Sequence, residues 1–266
     1  KQKTAYEIMP SLVVSEMCIR DRVIGVIPAR LKSTRLPEKI LAPIAGKPLI
    51  VHVMERASMA ERLDKVFVAI DSSKTEKALK EHTFDVVMTD SNHSSGTDRV
   101  AEVIKGIEDA KVIINIQGDE PMLDPGVIDG LVALFDNNNI SMATAVSRNL
   151  SVNDMLDPNV VKVFLDEHNF AIDFKRELYD MEIGGVYRHL GIYGYRRDTL
   201  LQLSLMDCTM HEQQESLEQL RALENKIPIK SLITSAIQVP VDTAEDLKKV
   251  SALMSMDISN KEKVIE

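Results

Sequence analysis

Cysteine is nearly missing from this chain. Its 266 residues hold two, Cys18 and Cys208, and neither has a C-x-x-C partner. A disulfide framework and a thiolate zinc site are therefore not expected, and a reducing compartment, the cytoplasm, is the default expectation. No apolar run approaches the ~20 residues needed to span a bilayer. The start, "KQKTAYEIMPSLVVSEMCIRDR", lacks a clean apolar core followed by a small-residue cleavage site, so it does not read as a signal peptide. Positive charge is in deficit as well. A formal net charge of −9 argues against a general nucleic-acid or membrane-surface binder, which needs a broad positive field to capture phosphates. Internal repeats and low-complexity segments are absent.

What is present fits one large domain, or two small ones sharing a core: 44% of residues are hydrophobic and 27% charged. The stretches "RVIGVIPA", "KVFVAID", "FDVVMT", "KVIINIQ" and "SMATAVS" are short, rich in Val and Ile and apolar on both faces, as strands of a covered parallel sheet are. Helical patterns lie between them at Pro48 to Glu61, Lys74 to Glu81, Thr97 to Asp109 and Asp124 to Asp136, with Thr97 and Asp124 as starts. Such alternation predicts an α/β fold with a doubly wound, mostly parallel sheet. Past residue 150 the rhythm changes. "VVKVFLD", "FAIDFK" and "YRHLGIYGYR" crowd together as antiparallel strands would, before a helix at Glu212 to Glu224, the strand "IKSLI" and a helix at Ala244 to Met256. A smaller lobe inserted between about 150 and 210 is the expectation.

Against the acidic background, one loop gathers cations. After the first strand come Arg30, Lys32, Arg35, Lys39 and Lys47, with Glu38 the one acid among them. In a doubly wound sheet this loop opens onto the ligand crevice. Two guanidinium forks, a mobile lysine and the hydroxyls of Ser33 and Thr34 could neutralise a triphosphate. The loop lacks the G-x-x-x-x-G-K-[ST] and G-x-G-x-x-G patterns, so ordinary NTPase and dinucleotide readings lose support.

A second group follows another apolar strand, in "NIQGDEP". Asp119 stands after a glycine that lets the backbone turn, which would expose its carboxylate at the same sheet edge. Magnesium takes one or two protein carboxylates and completes its shell with water and phosphate oxygens. Asp242, in "VPVDTAEDL", is either the second carboxylate or the N-cap of the final helix, and spacing does not decide between them.

Together these residues resemble the 3-deoxy-manno-octulosonate (Kdo) cytidylyltransferases. The resemblance runs from about Val23 to about Met254 and rests on "IPARLKSTRLPEK", "SSGTDR", "NIQGDEP", "RHLGIYGYR" and "LEQLRALE" followed by "VDTAEDL", in that order. It implies a Rossmann-like nucleotidyltransferase fold that joins CTP to the sugar acid Kdo, giving CMP-Kdo and pyrophosphate for lipopolysaccharide synthesis. By the same resemblance Arg30, Ser33 and Lys39 would contact the CTP phosphates, and Ser95, Gly96 and Thr97 would line the nucleotide side. Asp119 and Asp242 would hold Mg²⁺, with Arg30, Lys39 and Asp119 carrying the chemistry. Gln117, Arg176, His189, Tyr193, Glu218 and Gln219 would face the sugar acid, Arg176 gripping its carboxylate. A homodimer built through the inserted lobe is implied too. Residues 1–21 match nothing in the family and read as a non-native leader; 22–256 would form the domain and 257–266 a tail.

The pattern is broken in two places. Glu38 replaces the glycine usual before the family's lysine, putting a carboxylate beside the phosphates and a side chain at a turn. The segment "FAIDFKRELYDMEIGGVYRHLG" matches loosely: Asp173 and Lys175 stand where the family has Tyr and Ser, no Ile-Pro follows Arg176, and the stretch before His189 is short. A related acid such as 8-amino-Kdo is the alternative substrate, and a nucleotide-binding homologue without transfer activity the alternative class.

Overall fold

The first strand, β1 (Arg22–Ala29), carries RVIGVIPA, and its alternate side chains feed two separate cores: Val23 and Ile27 on one face of the sheet, Ile24 and Val26 on the other. Burial on both faces is what its unbroken apolar run requires. The computed structural model describes residues 22–93, 95–178 and 185–265, with side chains of helical residues to 256. The expected leader over 1–21, with Cys18, lies outside the described residues.

From β1 the chain turns through a small hairpin, β2 (Pro43–Ile44) and β3 (Lys47–Pro48), into α1 (Leu49–Ala57). Strands and helices then alternate: β4 (Lys65–Ile70), α2 (Ser73–Leu79), β5 (Asp85–Met88), α3 (Gly96–Lys105), β6 (Ala110–Asn115), α4 (Pro125–Leu134) and β7 (Met142–Ser147). The second part runs α5 (Val152–Leu156), β8 (Lys162–Leu165), β9 (Ala171–Lys175), β10 (Val186–Arg196), α6 (Arg197–Leu203), α7 (Met210–Glu215), α8 (Gln219–Glu224), β11 (Ile229–Thr234) and α9 (Ala244–Ile265). The main sheet has the order β11-β7-β10-β6-β1-β4-β5. Only β10 runs antiparallel to its neighbours there, so the sheet is doubly wound and mostly parallel, as the alternation predicts.

The segment expected as an inserted lobe is joined to this sheet. The far half of β10, Tyr193 to Arg196, pairs with β6, while its first residues, Val186 to Arg188, pair with β8, which in turn pairs with β9. One continuous strand thus connects the β8–β9 extension to the centre of the core.

Several helix limits differ from the pattern: α1 stops at Ala57 and α3 at Lys105, each four residues before the expected Glu61 and Asp109. Ser95, not Thr97, caps α3, its hydroxyl accepting from the Asp98 amide at 3.0 Å. The helix expected over Glu212 to Glu224 is two, because Ser216 adopts a left-handed conformation (φ 53°) between α7 and α8. The last helix runs on from Met256 to Ile265, through a stretch with no Pro or Gly to stop it.

Candidate active site

The loops leaving β1 and β6 open at the carboxyl edge of two neighbouring strands, where open α/β sheets bind ligands. Gly118 makes their approach possible. A Cβ there would lie 2.8 Å from the Pro28 carbonyl oxygen, so the glycine is required for close packing of the two strand ends, not for a special turn. Between them and the β8–β10 region lies a cleft of about 1080 Å³.

Two carboxylates meet one ammonium on its floor. Lys39 Nζ donates to Asp119 Oδ2 at 2.7 Å and to Asp242 Oδ1 at 2.9 Å, and Arg35 pairs with the other Asp242 oxygen at 3.0 Å. Burial lowers the Lys39 pKa, but the two carboxylates outweigh it and leave the ammonium more basic than an ordinary lysine. Asp242 does not cap the last helix. Thr243 does, accepting from the Asp246 amide while the Asp246 carboxylate accepts from the Thr243 amide and hydroxyl. Geometry removes the capping alternative: the Asp242 carboxylate lines the cleft, where it meets Lys39 and Arg35.

Arg30, Ser33, Ser95 and Gly96 line the same cleft, the last two at the start of α3. The basic loop is anchored from behind. The Leu31 amide donates to Asp71 Oδ1 at 2.9 Å, and the buried Arg99 reaches both Asp71 and Thr89. Thr97 is the exception among the candidates. It lies behind the wall and donates to Glu218 Oε2 at 2.7 Å, tying α3 to the turn before α8. Glu38 also departs from expectation. Its backbone is left-handed (φ 54°), the conformation a glycine adopts freely, and its carboxylate turns away to Lys74.

Gln117, Arg176, His189, Tyr193, Glu218 and Gln219 line the cleft as well, Gln117 from the β6 loop and the others from the chain after β9. Gln117 Nε2 donates to the Gly191 carbonyl at 2.8 Å. Thr144 spends its one hydroxyl proton on the Ile192 carbonyl at 2.8 Å, so His189 Nε2, 2.9 Å away, must carry a proton and donate to it. Burial pushes the His189 pKa down to about 3, and Phe174 and Tyr193 pack against the ring. The Arg176 guanidinium is held by backbone: Nε donates to the Glu215 carbonyl, Nη1 to Pro158 and Nη2 to Ser216. Lys162, wholly buried, donates to the Asp157 and Arg176 carbonyls and fixes the same wall.

Two residues in the cleft were not singled out from the sequence. Glu120, next to Asp119, is 6% exposed and its Oε2 lacks a hydrogen-bond partner; burial, then the neighbouring Asp119 charge, holds its pKa well above the carboxylate range. Arg188 pairs only loosely with Asp154, at 3.4 Å. Both sit inside quoted motifs, but neither residue type carries a distinguishing signal in a loop or strand of mixed polarity.

The family model for cytidylyltransferases matches residues 24–232. The 3-deoxy-manno-octulosonate cytidylyltransferase of Geobacter sulfurreducens is 41% identical over 244 residues, covering 86% of this chain and 97% of that protein. Its counterpart from Solibacter usitatus is 43% identical over 243 residues, covering 89% and 96%. The chain belongs to the 3-deoxy-manno-octulosonate cytidylyltransferase family. A solved structure of CMP:2-keto-3-deoxy-manno-octonic acid synthetase complexed with CTP superposes with a TM-score of 0.83 at 39% identity, covering 89% of this chain and 99% of that one. Membership gives the five separated motifs a common setting, since stretches from β1 to the start of α9 all reach one cleft.

Proposed function

We propose that this cytidylyltransferase transfers CMP from CTP to Kdo, releasing pyrophosphate. The observation that carries the reading is the meeting of Lys39 with Asp119 and Asp242 in a cleft also lined by arginines and hydrogen-bonding side chains. Arg30, Ser33 and Lys39 would bind the CTP phosphates, with Ser95 and Gly96 at the nucleotide side and Thr97 bracing Glu218. Gln117, Arg176, His189, Tyr193, Glu218 and Gln219 would face the sugar acid.

The anomeric hydroxyl of Kdo attacks the α-phosphorus, the bond to the bridging oxygen breaks, and pyrophosphate leaves with a proton released; no covalent enzyme intermediate is needed. Lys39 and Arg30 offset the charge that builds on the phosphate oxygens. Asp119 and Asp242 would hold Mg²⁺. The donor set fits: two hard carboxylates converge on one cation, the Lys39 ammonium, and Mg²⁺ takes one or two protein carboxylates beside phosphate oxygens. Bound there, magnesium would neutralise phosphate oxygens and lower the pKa of the attacking hydroxyl. His189, neutral and donating through Nε2, acts as a hydrogen-bonding wall and not as a titrating base.

A cytoplasmic, homodimeric enzyme supplying lipopolysaccharide synthesis completes the proposal; no helix among the described residues is long and apolar enough to cross a membrane. The test is to incubate the purified chain with CTP, magnesium and Kdo, 8-amino-Kdo or sialic acid in separate reactions, measuring pyrophosphate release and the mass of the product. Fastest release with Kdo is expected. Release only with another acid, or with none, would overturn the reading.

A further inference from the structure

The wall that faces the sugar acid holds two arginines in unlike states. Arg176 has three of its five N–H groups committed to the carbonyls of Glu215, Pro158 and Ser216, bonds that join its side chain to the α7–α8 turn and the loop before β8. It cannot turn toward a ligand without breaking them. Arg188, on β10 beside His189, has one described partner, Asp154, at 3.4 Å, longer than the 2.7–2.9 Å of a well-formed charge-assisted bond. Its side chain is 20% exposed, lines the cleft, and lies near enough to Glu120 for its charge to act on that buried carboxyl. Its planar donor fork is thus partly buried, flanked by carboxylates and, among the described residues, engaged only by that one long contact.

We propose that Arg188 provides the principal guanidinium for the substrate's carboxylate, exchanging its loose contact with Asp154 for a two-point grip, while Arg176 serves mainly to shape the wall. This rests on the sugar-acid cytidylyltransferase reading above. It also accounts for a sequence that departs from its family around Arg176 and yet keeps a cationic wall: the recognising cation is placed by the core strand β10, whose register against β7 and β8 is fixed by backbone pairing.

The test is steady-state kinetics, varying CTP and Kdo separately, on the wild type and on Arg188→Ala, Arg188→Lys, Arg176→Ala and Asp154→Asn. Arg188→Ala should raise KM for Kdo by about 30-fold or more, as loss of a paired charged contact does, and leave KM for CTP within about twofold. Arg188→Lys should recover part of the loss, since it keeps charge without the fork. Arg176→Ala should raise KM for Kdo less than Arg188→Ala. Asp154→Asn frees Arg188 and should not raise it. If Asp154→Asn reproduces the Arg188→Ala defect, the pair is structural and the proposal fails. It fails equally if Arg188→Ala keeps a normal KM for Kdo, or if Arg176→Ala is the more damaging. A wild type that turns over no sugar acid instead removes the parent reading, and the proposal with it.

Discussion

Both carboxylate oxygens of Glu38 accept from Lys74 Nζ at 2.6 Å, so the acid beside the basic loop points out of the cleft. Glu38 holds a left-handed backbone at φ 54°, which costs a side-chain-bearing residue roughly 1–2 kcal/mol relative to glycine. Glycine gives back about 0.5–1 kcal/mol through its freer unfolded chain, and an exposed pair such as Glu38 with Lys74 adds little. Glu38→Gly should therefore leave the melting temperature unchanged or raise it by up to about 3 °C, and KM for CTP should not rise. A thermal melt and CTP kinetics check both.

Asp119→Asn should lower kcat by about 10² to 10³ with a smaller change in KM for CTP, because the interaction it loses is strongest in the transition state. Asp242→Asn should lower kcat without lowering the melting temperature, since Thr243 and Asp246 hold the start of α9 without it. Titrating magnesium for each variant gives the deciding measurement: a normal kcat at low magnesium would remove that residue from the metal site.

His189 makes acid sensitivity predictable. Its folded pKa of about 3 lies below the unfolded value near 6.5. Between the two the unfolded chain binds the extra proton, so stability is full above about pH 6.5 and falls as pH drops, by up to about 1.4 kcal/mol per pH unit from this group. Denaturant unfolding at pH 7 and pH 5 should show a smaller pH loss in His189→Asn than in wild type. The same shift predicts no His189 ionisation in pH–rate profiles between pH 5 and 9.

Arg221 and Glu212 form a buried two-point pair, Nε to Oε2 at 2.8 Å and Nη2 to Oε1 at 2.5 Å, that clamps α7 to α8. Removing one partner leaves the other charge buried and alone, a loss of about 3–5 kcal/mol. Glu212→Ala should lower the denaturation midpoint accordingly and, because α8 begins beside Glu218, should also raise KM for Kdo in whatever fraction remains folded.

Period and burial are local properties, and they decided much here. Short apolar runs placed β1, β4, β5, β6 and β7 within a residue or two, although β5, at the sheet edge, is half exposed and not covered on both faces; the helix patterns between them made the doubly wound sheet legible, since strands that alternate with helices have few ways to be covered. The cation cluster after β1 announced a cleft for phosphates, and five ordered motifs announced the family. The tertiary structure alone decided what depends on neighbours distant in the chain. Lys39 meets Asp119 across 80 positions and Asp242 across 203, a meeting set by strand order. Ser216 breaks a helix that its residue type does not mark, and Glu38 accepts a glycine's conformation because the surrounding loop imposes it. Most consequential for recognition, Arg176 and Arg188 are the same residue type in the sequence. Only packing commits the first to the Glu215, Pro158 and Ser216 carbonyls and gives the second, among the described residues, one long contact with Asp154, because hydrogen-bond saturation belongs to a folded environment and not to a side chain.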